Sequence, residues 1–331
     1  MSSAAVTTVT VDSFTVRLGG DGAPEAVVPF AQPLSSITEL NRRTIEVIAG
    51  ARESLGVTGL TSVEREAQAI QTLRTHVTSV ARVERLTPHF RRITFAGGDL
   101  DTFEPGGLDQ YLYVLLPPPG HGELTIDASF SWSAYEEMPE AERPVGAYYT
   151  VRAWRPAADG SPAELDMVFL LHDEGHATAW AARAAPGDPA ALWGPRTGYE
   201  PPADTEWLLL AGDETGLPAV SVILEHLPAG MPAHVFVELG DQADRLPLPE
   251  SPDIHVTLLD RAGAPAGTTT LLPDAFRAFD LPPGNLYAWG GAESRAVTAI
   301  RKYLRHERGY VREQVSMTGY WRNPTTPPGE A

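Results

Sequence analysis

The pattern of the chain changes near residue 206, and this change limits the folds open to it. Before that point, short strand-like segments are separated by Gly and Pro turns, which predicts an antiparallel barrel. After it, apolar strand-like runs alternate with helical segments, which predicts an open parallel sheet covered by helices. The predicted barrel strands are residues 77–85, 91–96, 110–116, 148–154 and 165–171, followed by a helix at 177–184. The predicted sheet strands are residues 207–211, 234–239, 254–259, 286–289 and 311–317, with helices at 215–226 and 292–305.

The residues before the barrel predict a separate, helix-rich extension. Alternation between Thr7 and Leu18 indicates one strand, and capping boxes at residues 36–39 and 61–64 indicate two helices. The extension offers little recognisable chemistry, so we expect it to pack against the chain or to join two copies in a homodimer. The predicted divisions are 1–76 for the extension, 77–203 for the barrel, 204–323 for the sheet domain and 324–331 for a disordered Pro-rich tail.

The composition excludes several classes of function. The 331 residues include no cysteine, which excludes disulfides, thiolate nucleophiles and Cys-ligated clusters. A formal net charge of −18 makes nucleic acid and anionic membranes poor partners. The histidine spacing indicates no metal site, so redox chemistry would need an organic cofactor or a metal carried by the substrate. We expect a cytoplasmic protein, because no signal peptide is evident and no apolar run could span a bilayer.

Residues 146–152, Gly-Ala-Tyr-Tyr-Thr-Val-Arg, indicate a strand whose side chains suit a flavin. Tyr149 and Thr150 project to opposite faces of a strand, whereas Thr150 and Arg152 share one face. A tyrosine ring can lie against an isoalloxazine, a threonine can hydrogen-bond to its reactive nitrogen, and an arginine can meet the pyrophosphate. An ordinary half-buried strand explains the same residues, so the rest of the chain has to decide between these interpretations.

Three glycine-containing turns follow predicted strands and are candidate ligand sites. The first opens a helix, whose free N–H groups and dipole would face an anion, and His172 either borders that ligand or fills the core. The second lies where open α/β sheets bind ligands and either caps its helix or touches a nicotinamide. In the third, Glu293 suits the first turn of a helix, and the glycines leave room for a planar ligand. The candidate residues in the three turns are Gly175, His176, Ala177, Thr178, Asp213, Glu214, Thr215, Trp289 and Glu293.

Positive charge in this acidic chain is concentrated near the C-terminus. Arg301 and Arg305 share one face of a predicted helix, and Lys302 between them is the only lysine of the chain. This cluster would attract an anionic substrate, or it is simply a solvated helix surface.

Taken together, these segments resemble the siderophore-interacting proteins, which are flavin-dependent ferric-siderophore reductases. The resemblance covers about residues 77–323. The matching segments are RRITF at 91–95, YTVR at 149–152, residues 169–172, WAAR at 180–183, PGD at 186–188, GPR at 194–196, AGDET at 211–215, RAGAPAG at 261–267, YAW at 287–289, Glu293 and GYWR at 319–322.

The resemblance implies a ferredoxin-reductase-like architecture, with a FAD-binding β-barrel followed by an α/β domain that binds NADPH or NADH. Hydride would pass from the nicotinamide to FAD, and electrons would pass from the flavin to Fe(III) held by a siderophore. The implied catalytic residues are Tyr149, Thr150 and Glu293. The implied cofactor contacts are Tyr149, Thr150, Arg152, His172, the turn residues Gly175, His176, Ala177 and Thr178, and the nicotinamide-side residues Asp213, Glu214, Thr215 and Trp289. The implied recruiting cations are Arg301, Lys302 and Arg305.

Two positions depart from the family pattern. The family strand usually begins with an arginine two residues before the tyrosine, where this chain has Ala147, and Arg152 is the candidate to replace it. The glycine that usually precedes Glu293 is Ala292. These departures leave two alternatives open: a flavoenzyme of the same fold that acts on an organic metabolite, and a flavin-free enzyme or binding protein that uses the old flavin cleft.

Overall fold

The computed structural model describes residues 4–19, 22–172 and 175–325. The chain divides into two compact units, residues 1–73 and residues 74–331. Within the described residues, no helix is both long and apolar enough to cross a lipid bilayer. Most of the predicted disordered tail, residues 326–331, lies outside the described residues.

The N-terminal unit combines a small sheet with two helices. Its antiparallel sheet has the order β1 (Ala4–Val9), β2 (Ser13–Leu18) and β3 (Glu25–Pro29), and it is followed by α1 (Leu40–Ser54) and α2 (Ser62–Gln71). The prediction of a single strand between Thr7 and Leu18 is wrong, because the backbone N–H of Thr10 donates to the carbonyl of Ser13 and turns the chain into a hairpin.

Only one of the two predicted capping boxes forms. The side chain of Thr61 accepts from the N–H of Glu64, whose carboxylate accepts from the N–H of Thr61, so α2 begins as predicted. Ser36 caps nothing with its side chain, and the carboxylate of Glu39 instead accepts from the N–H of Ser35. The chain therefore makes one short 3₁₀ turn there before α1 begins.

Six antiparallel strands close into a barrel in the order β4-β5-β8-β7-β6-β9. The strands are β4 (Arg74–Arg85), β5 (Phe90–Ala96), β6 (Tyr111–Leu116), β7 (Val145–Arg155), β8 (Glu164–Leu170) and β9 (Pro189–Arg196). A short helix, α3 (Trp132–Glu137), lies in the long β6–β7 connection, and α4 (His176–Arg183) joins β8 to β9. Inward-facing Ile93, Phe95, Leu112 and Leu165 fill the barrel, and Trp180 of α4 stacks on Phe95.

The following residues form the predicted open parallel sheet, in the order β12-β11-β10-β13-β14. Its elements are β10 (Trp207–Gly212), α5 (Leu217–Glu225), β11 (Ala233–Leu239), β12 (Ile254–Asp260), α6 (Leu271–Ala278), β13 (Leu286–Glu293), α7 (Ser294–Lys302) and β14 (Val315–Trp321). Every residue of β10 and β13 is buried, as strands covered on both faces require. The strand order reverses between β10 and β13, which places a crevice at their carboxyl ends.

The turn after β10 lies directly against the end of β13. A Cβ atom on Gly216 would overlap the carbonyl group of Gly291, so this close approach requires glycine. The predicted last strand was placed too early, because residues 312–314 form a 3₁₀ turn and the parallel pairing with β13 begins only at Val315.

Polar side chains fix the barrel to the sheet domain. The indole Nε1 of Trp289 donates to the carboxylate of Asp109 at 2.9 Å. Asp244, which follows β11, accepts from the hydroxyl of Thr87 and from the backbone N–H and ring of His89 in the β4–β5 turn. Burial works against ionisation of Asp244, but these hydrogen bonds outweigh it and hold its pKa below the ordinary value. The two domains are therefore held in one arrangement around the crevice.

Candidate active site

A cleft lies between β7 and β8 of the barrel and the carboxyl edge of the sheet. It contains two adjoining cavities of about 170 and 450 Å³. The residues that line both cavities are Leu170, His172, Glu214, Thr215 and Trp321. Tyr149 and Thr150 line the smaller cavity, so the structure brings together five of the residues predicted from the sequence.

Tyr149 lies on the barrel side of this cleft. Its ring packs on Phe169 with 4.0 Å between the ring centroids and contacts the barrel core. Burial raises the pKa of Tyr149 far above its ordinary value, so the phenol stays neutral. The ring therefore offers a flat, uncharged surface at the edge of the cavity.

Thr150 is buried on the opposite face of β7, where it meets the last strand of the sheet. Tyr320 also lines the smaller cavity, and the nearby hydroxyl of Thr150 opposes the rise that burial causes in the pKa of Tyr320. A Cβ on Gly291 would lie 2.7 Å from the Tyr320 ring, so glycine at that position leaves room for this aromatic side chain. Tyr320 and Trp321 had no predicted role, and the signal that pointed to them was the aromatic pair just after the last predicted strand.

Arg152 points to the sheet domain. Its guanidinium donates to both carboxylate oxygens of Glu225, at 2.8 and 2.5 Å, and Glu225 is the last residue of α5. This two-point ion pair ties β7 to α5. In the structure, Arg152 is therefore paired with a carboxylate, whereas the sequence predicted that it would lie near phosphates.

The first turn of α4 matches the predicted anion-binding turn. Gly175 precedes the helix with φ of +108°, a conformation that other residues rarely adopt, and it provides no side-chain cap. The hydroxyl of Thr178 instead accepts from the N–H of His172 at 2.9 Å, which closes the turn. Among the residues that the structure describes, no carboxylate or hydroxyl caps the first turn of the helix, and this donor set fits a diphosphate. Asp173 and Glu174 of the predicted turn lie outside the described residues.

Asp213 is a buried residue at the carboxyl edge of the sheet, and its carboxylate is hydrogen-bonded to the ends of three strands. Its carboxylate accepts from the N–H and hydroxyl of Thr215, from the N–H of Gly216 and Glu293, and from the indole of Trp321. Burial raises the pKa of Asp213, and the hydrogen bonds from Thr215 and Trp321 oppose that rise. Asp213 therefore joins the ends of β10, β13 and β14 and positions Thr215 on the cleft.

Glu214 forms a buried ion pair with Arg261. The guanidinium of Arg261 donates to both carboxylate oxygens at 2.9 and 2.6 Å, and the N–H of Gly240 donates at 2.7 Å. A second buried carboxylate, Glu238, lies 3.6 Å from Arg261 and accepts from the hydroxyl of Thr269. Burial raises the pKa of Glu238. Glu214 lines the cleft, so this cluster fixes one wall of it.

The third predicted turn has a structural role. The ring of Trp289 is only 1% exposed and is directed at Asp109, so it offers no surface to a ligand. The side chain of Glu293 is buried and caps α7 through the N–H of Arg295 and Ala296. It lines a cavity of about 310 Å³ beside α6 and α7, which shares Arg261 and Trp321 with the larger cavity of the cleft but is not lined by Tyr149. The sequence reveals neither the burial of Trp289 nor the capping of α7 by Glu293. These two features explain why both residues differ from the prediction.

The predicted recruiting cations also lie outside the cleft. Arg301 and Arg305, together with Arg312, line an open groove of about 620 Å³ beside the first half of β14. Lys302 is exposed and does not line it. The cleft lies at the other end of β14, where Tyr320 and Trp321 stand, so these cations do not contact a ligand held there.

His89, Asp241 and Asp244 bring potential metal-ligand atoms within 4.8 Å of one another at the rim of the larger cavity. The oxygens of Asp244 already accept hydrogen bonds from Thr87 and His89, so these side chains connect the barrel to the sheet domain. Local sequence patterns could not predict this group, because His89 and Asp244 are 155 residues apart in the chain.

Comparison with known proteins assigns the two domains. The family model of the siderophore-interacting FAD-binding domain matches residues 79–199, and that of the siderophore-interacting protein matches residues 205–324. Ferric vibriobactin reductase of Vibrio cholerae is 30% identical over 251 residues, which cover 73% of this chain and 87% of the relative. The NADPH-dependent ferric-chelate reductase of Escherichia coli is 29% identical, with 75% of this chain and 93% of the relative covered.

A solved structure gives the same assignment. The crystal structure of a siderophore utilization protein from T. fusca matches with a TM-score of 0.67 and 30% identity, covering 77% of this chain and 95% of that one. The predicted fold class, a flavin-binding barrel followed by a parallel α/β domain, is confirmed. The chain therefore belongs to the siderophore-interacting protein family, and its barrel is the FAD-binding domain of that family.

Proposed function

We propose that this protein is a flavin-dependent NAD(P)H oxidoreductase that reduces ferric siderophores and releases Fe(II). The observation that carries the proposal is the cleft lined by Tyr149, Thr150 and Thr215, at the junction of a FAD-binding barrel and a parallel sheet. The names of the relatives from Vibrio cholerae and Escherichia coli support ferric chelates as substrates and NADPH as reductant. Fe(II) fits hard oxygen ligands less well than Fe(III), so reduction would loosen the chelate.

The residues present fit the cofactor at both of its ends. Bound FAD would supply the chemistry, taking hydride from a reduced nicotinamide and giving single electrons to ferric iron. Tyr149 would support the ring system, and the hydroxyl of Thr150 would hydrogen-bond to the edge of the ring. The uncapped first turn of α4 would hold the diphosphate. Glu214 and Thr215, fixed by Arg261 and Asp213, would border the nicotinamide.

Three features favour the alternative of a flavin-free protein. Tyr320 lines the smaller cavity together with Thr150, and this cavity has a volume of only about 170 Å³. The family arginine is also replaced by Ala147, and Arg152 is engaged by Glu225. A protein that used this cleft for an organic metabolite would tolerate all three features.

Anaerobic mixing with NADPH or NADH, with a ferric catecholate present, separates these functions. We expect about two Fe(II) for each nicotinamide oxidised, because a hydride carries two electrons and each ferric ion accepts one. A chromogenic Fe(II) chelator measures the product. Flavin reduction without Fe(II) would indicate an organic substrate, and an absence of nicotinamide oxidation with added FAD would contradict both redox functions.

Replacing Arg152 by alanine tests whether this residue contributes to FAD binding. We expect the free energy of unfolding to fall by about 1 kcal/mol or less, since the ion pair is partly exposed. FAD affinity should change by less than about twofold, because no phosphate contact is lost. Urea unfolding and quenching of flavin fluorescence measure the two quantities. An affinity loss of about tenfold would show that Arg152 leaves Glu225 for the phosphates.

We infer that the protein acts in the cytoplasm, where reduced nicotinamide nucleotides are kept, and that two copies associate through the N-terminal unit. Of the twelve large apolar side chains exposed in the described residues, ten belong to residues 1–73, among them Val27, Ile37 and Leu55. Exposed apolar surface of this kind favours association. Analytical ultracentrifugation of the full chain should find a dimer, and a monomer at every concentration would contradict the inference.

A further inference from the structure

The larger cavity of the cleft, of about 450 Å³, follows the carboxyl ends of three neighbouring strands. Thr215 lies after β10, Gly240 and Asp241 lie after β11, and Arg261 lies after β12. Strand β11 pairs with β10 on the side opposite β13. In open α/β sheets a dinucleotide binds at the point of reversal, and a carboxylate after the second strand accepts from the 2′-hydroxyl of its adenosine ribose. Asp241 therefore lies where the adenosine ribose of NADH or NADPH is expected.

Three carboxylates line this cavity, and their hydrogen bonds leave one of them open to a ligand. Both oxygens of Glu214 accept from Arg261, and both oxygens of Asp244 are hydrogen-bonded to the β4–β5 turn. Asp241 is exposed, and one of its oxygens accepts from the N–H of Ala243 at 2.8 Å, which holds the carboxylate at the start of a short 3₁₀ turn. Among the described residues, its second oxygen has no partner. Asp241 can therefore accept a hydrogen bond from a ribose hydroxyl.

The arginine of this cavity is already neutralised. Arg261 is paired with Glu214 and lies 3.6 Å from Glu238, so two buried carboxylates share its charge. A Cβ atom on Gly240 would lie 2.5 Å from Nη2 of Arg261, so there is no space at this position for a side chain that could bring another cation. The charge of Arg261 is therefore not available to an additional phosphate.

Two histidines also line the cavity. The ring of His89 is hydrogen-bonded to the carboxylate of Asp244 at 2.6 Å. His172 is followed in the sequence by Asp173 and Glu174, which lie outside the described residues and are both acidic. The lining residues and their neighbours in sequence therefore carry more negative than positive charge.

A 2′-hydroxyl and a 2′-phosphate would interact with this wall in opposite ways. The hydroxyl donates a hydrogen bond to a carboxylate, whereas the phosphate carries a charge of about −1.5 to −2 at pH 7 and is repelled by it. We propose that Asp241 makes the protein selective for NADH over NADPH, by accepting from the 2′-hydroxyl and repelling the 2′-phosphate. This inference rests on the proposed NAD(P)H oxidoreductase function and names the dinucleotide that the site prefers. NADPH still binds, but more weakly.

Isothermal titration calorimetry with NAD⁺ and NADP⁺ tests the selectivity in the FAD-loaded protein without turnover. The two ligands differ only in the 2′-phosphate. We expect the native protein to bind NAD⁺ at least about tenfold more tightly at low ionic strength. This ratio should fall as NaCl is added, because salt screens the repulsion at an exposed carboxylate.

Substitutions of Asp241 test whether its charge is the cause. Asp241→Asn keeps an oxygen that can accept from Ala243 and from the ribose, but it removes the charge. We expect it to tighten NADP⁺ binding by about threefold or more and to leave NAD⁺ binding within about threefold. Asp241→Arg places a cation beside the ribose, so it should bind NADP⁺ more tightly than NAD⁺.

Asp280→Asn is the matched control, because it changes the net charge equally, and Asp280 is exposed and lines none of the cavities described above. It should leave both affinities within about twofold of the native values. The assignment is overturned if the native protein binds NADP⁺ as tightly as NAD⁺, or if Asp241→Asn keeps the native ratio of the two dissociation constants. A native protein that binds neither dinucleotide would refute the proposed function, and this inference with it.

Discussion

Replacing Asp213 by alanine should lower the free energy of unfolding by about 3–5 kcal/mol. The carboxylate is buried and accepts hydrogen bonds from Thr215, Gly216, Glu293 and Trp321. Alanine would leave these donors unpaired in the interior, where each unpaired group costs about 1–3 kcal/mol. Thr215 and Trp321 also line the cleft, so their release should weaken ligand binding as well.

Urea unfolding followed by circular dichroism measures this change. Asp280→Ala is the matched control, because Asp280 is exposed and makes no side-chain hydrogen bond in the described chain. That variant should stay within about 0.5 kcal/mol of the native protein. If Asp213→Ala lowers the free energy of unfolding by less than about 1 kcal/mol, the carboxylate of Asp213 does not hold the three strand ends together.

The second large effect is expected at Arg261. Arg261→Met removes the cation that faces the buried carboxylates of Glu214 and Glu238, and it should cost about 3–5 kcal/mol of unfolding free energy. Methionine keeps much of the side-chain volume, so the loss would reflect charge more than packing. The free energy of unfolding in urea is again the measured quantity.

A double variant tests why Arg261→Met is less stable. The cause is either the lost attraction between Arg261 and Glu214 or a buried carboxylate left without a cation. Glu214→Gln in the Arg261→Met background removes one of the two stranded carboxylates, so we expect it to recover at least about half of the loss. Glu214→Gln alone should also destabilise the protein, since Arg261 then loses its closest partner. If the double variant is less stable than Arg261→Met, the buried charge is not the cause of the effect.

Elements of the fold were predictable where the local pattern of apolar and polar residues matched the burial of those residues in the structure. The buried runs at residues 207–211 and 286–289 could be recognised because strands covered on both faces need continuous apolar sequence. Strand β9 was missed because Pro189 and the pair Gly194-Pro195 have the composition of turns. Its place in the barrel comes from pairing with β4 and β6, which are far away in sequence.

The same distinction applies to the site. Tyr149 and Thr150 are neighbours on one strand, so the sequence could place both at one cleft, and the glycine turn before α4 is a local feature of the same kind. The partners that determine what each group does are distant: Arg152 meets Glu225, and Trp289 meets Asp109. Periodicity alone could not show that Trp289 would be enclosed, and the glycines beside it gave a misleading impression of an open surface.

The visible absorbance spectrum of the purified protein after incubation with FAD and removal of free cofactor tests the central claim most directly. The account predicts a retained flavin spectrum, with the long-wavelength band shifted by contact with Tyr149. Tyr320 lines the smaller cavity beside Thr150, so Tyr320→Ala enlarges the site and should retain at least as much flavin. A protein that stays colourless, with Tyr320→Ala equally colourless, would contradict a flavin site in this cleft.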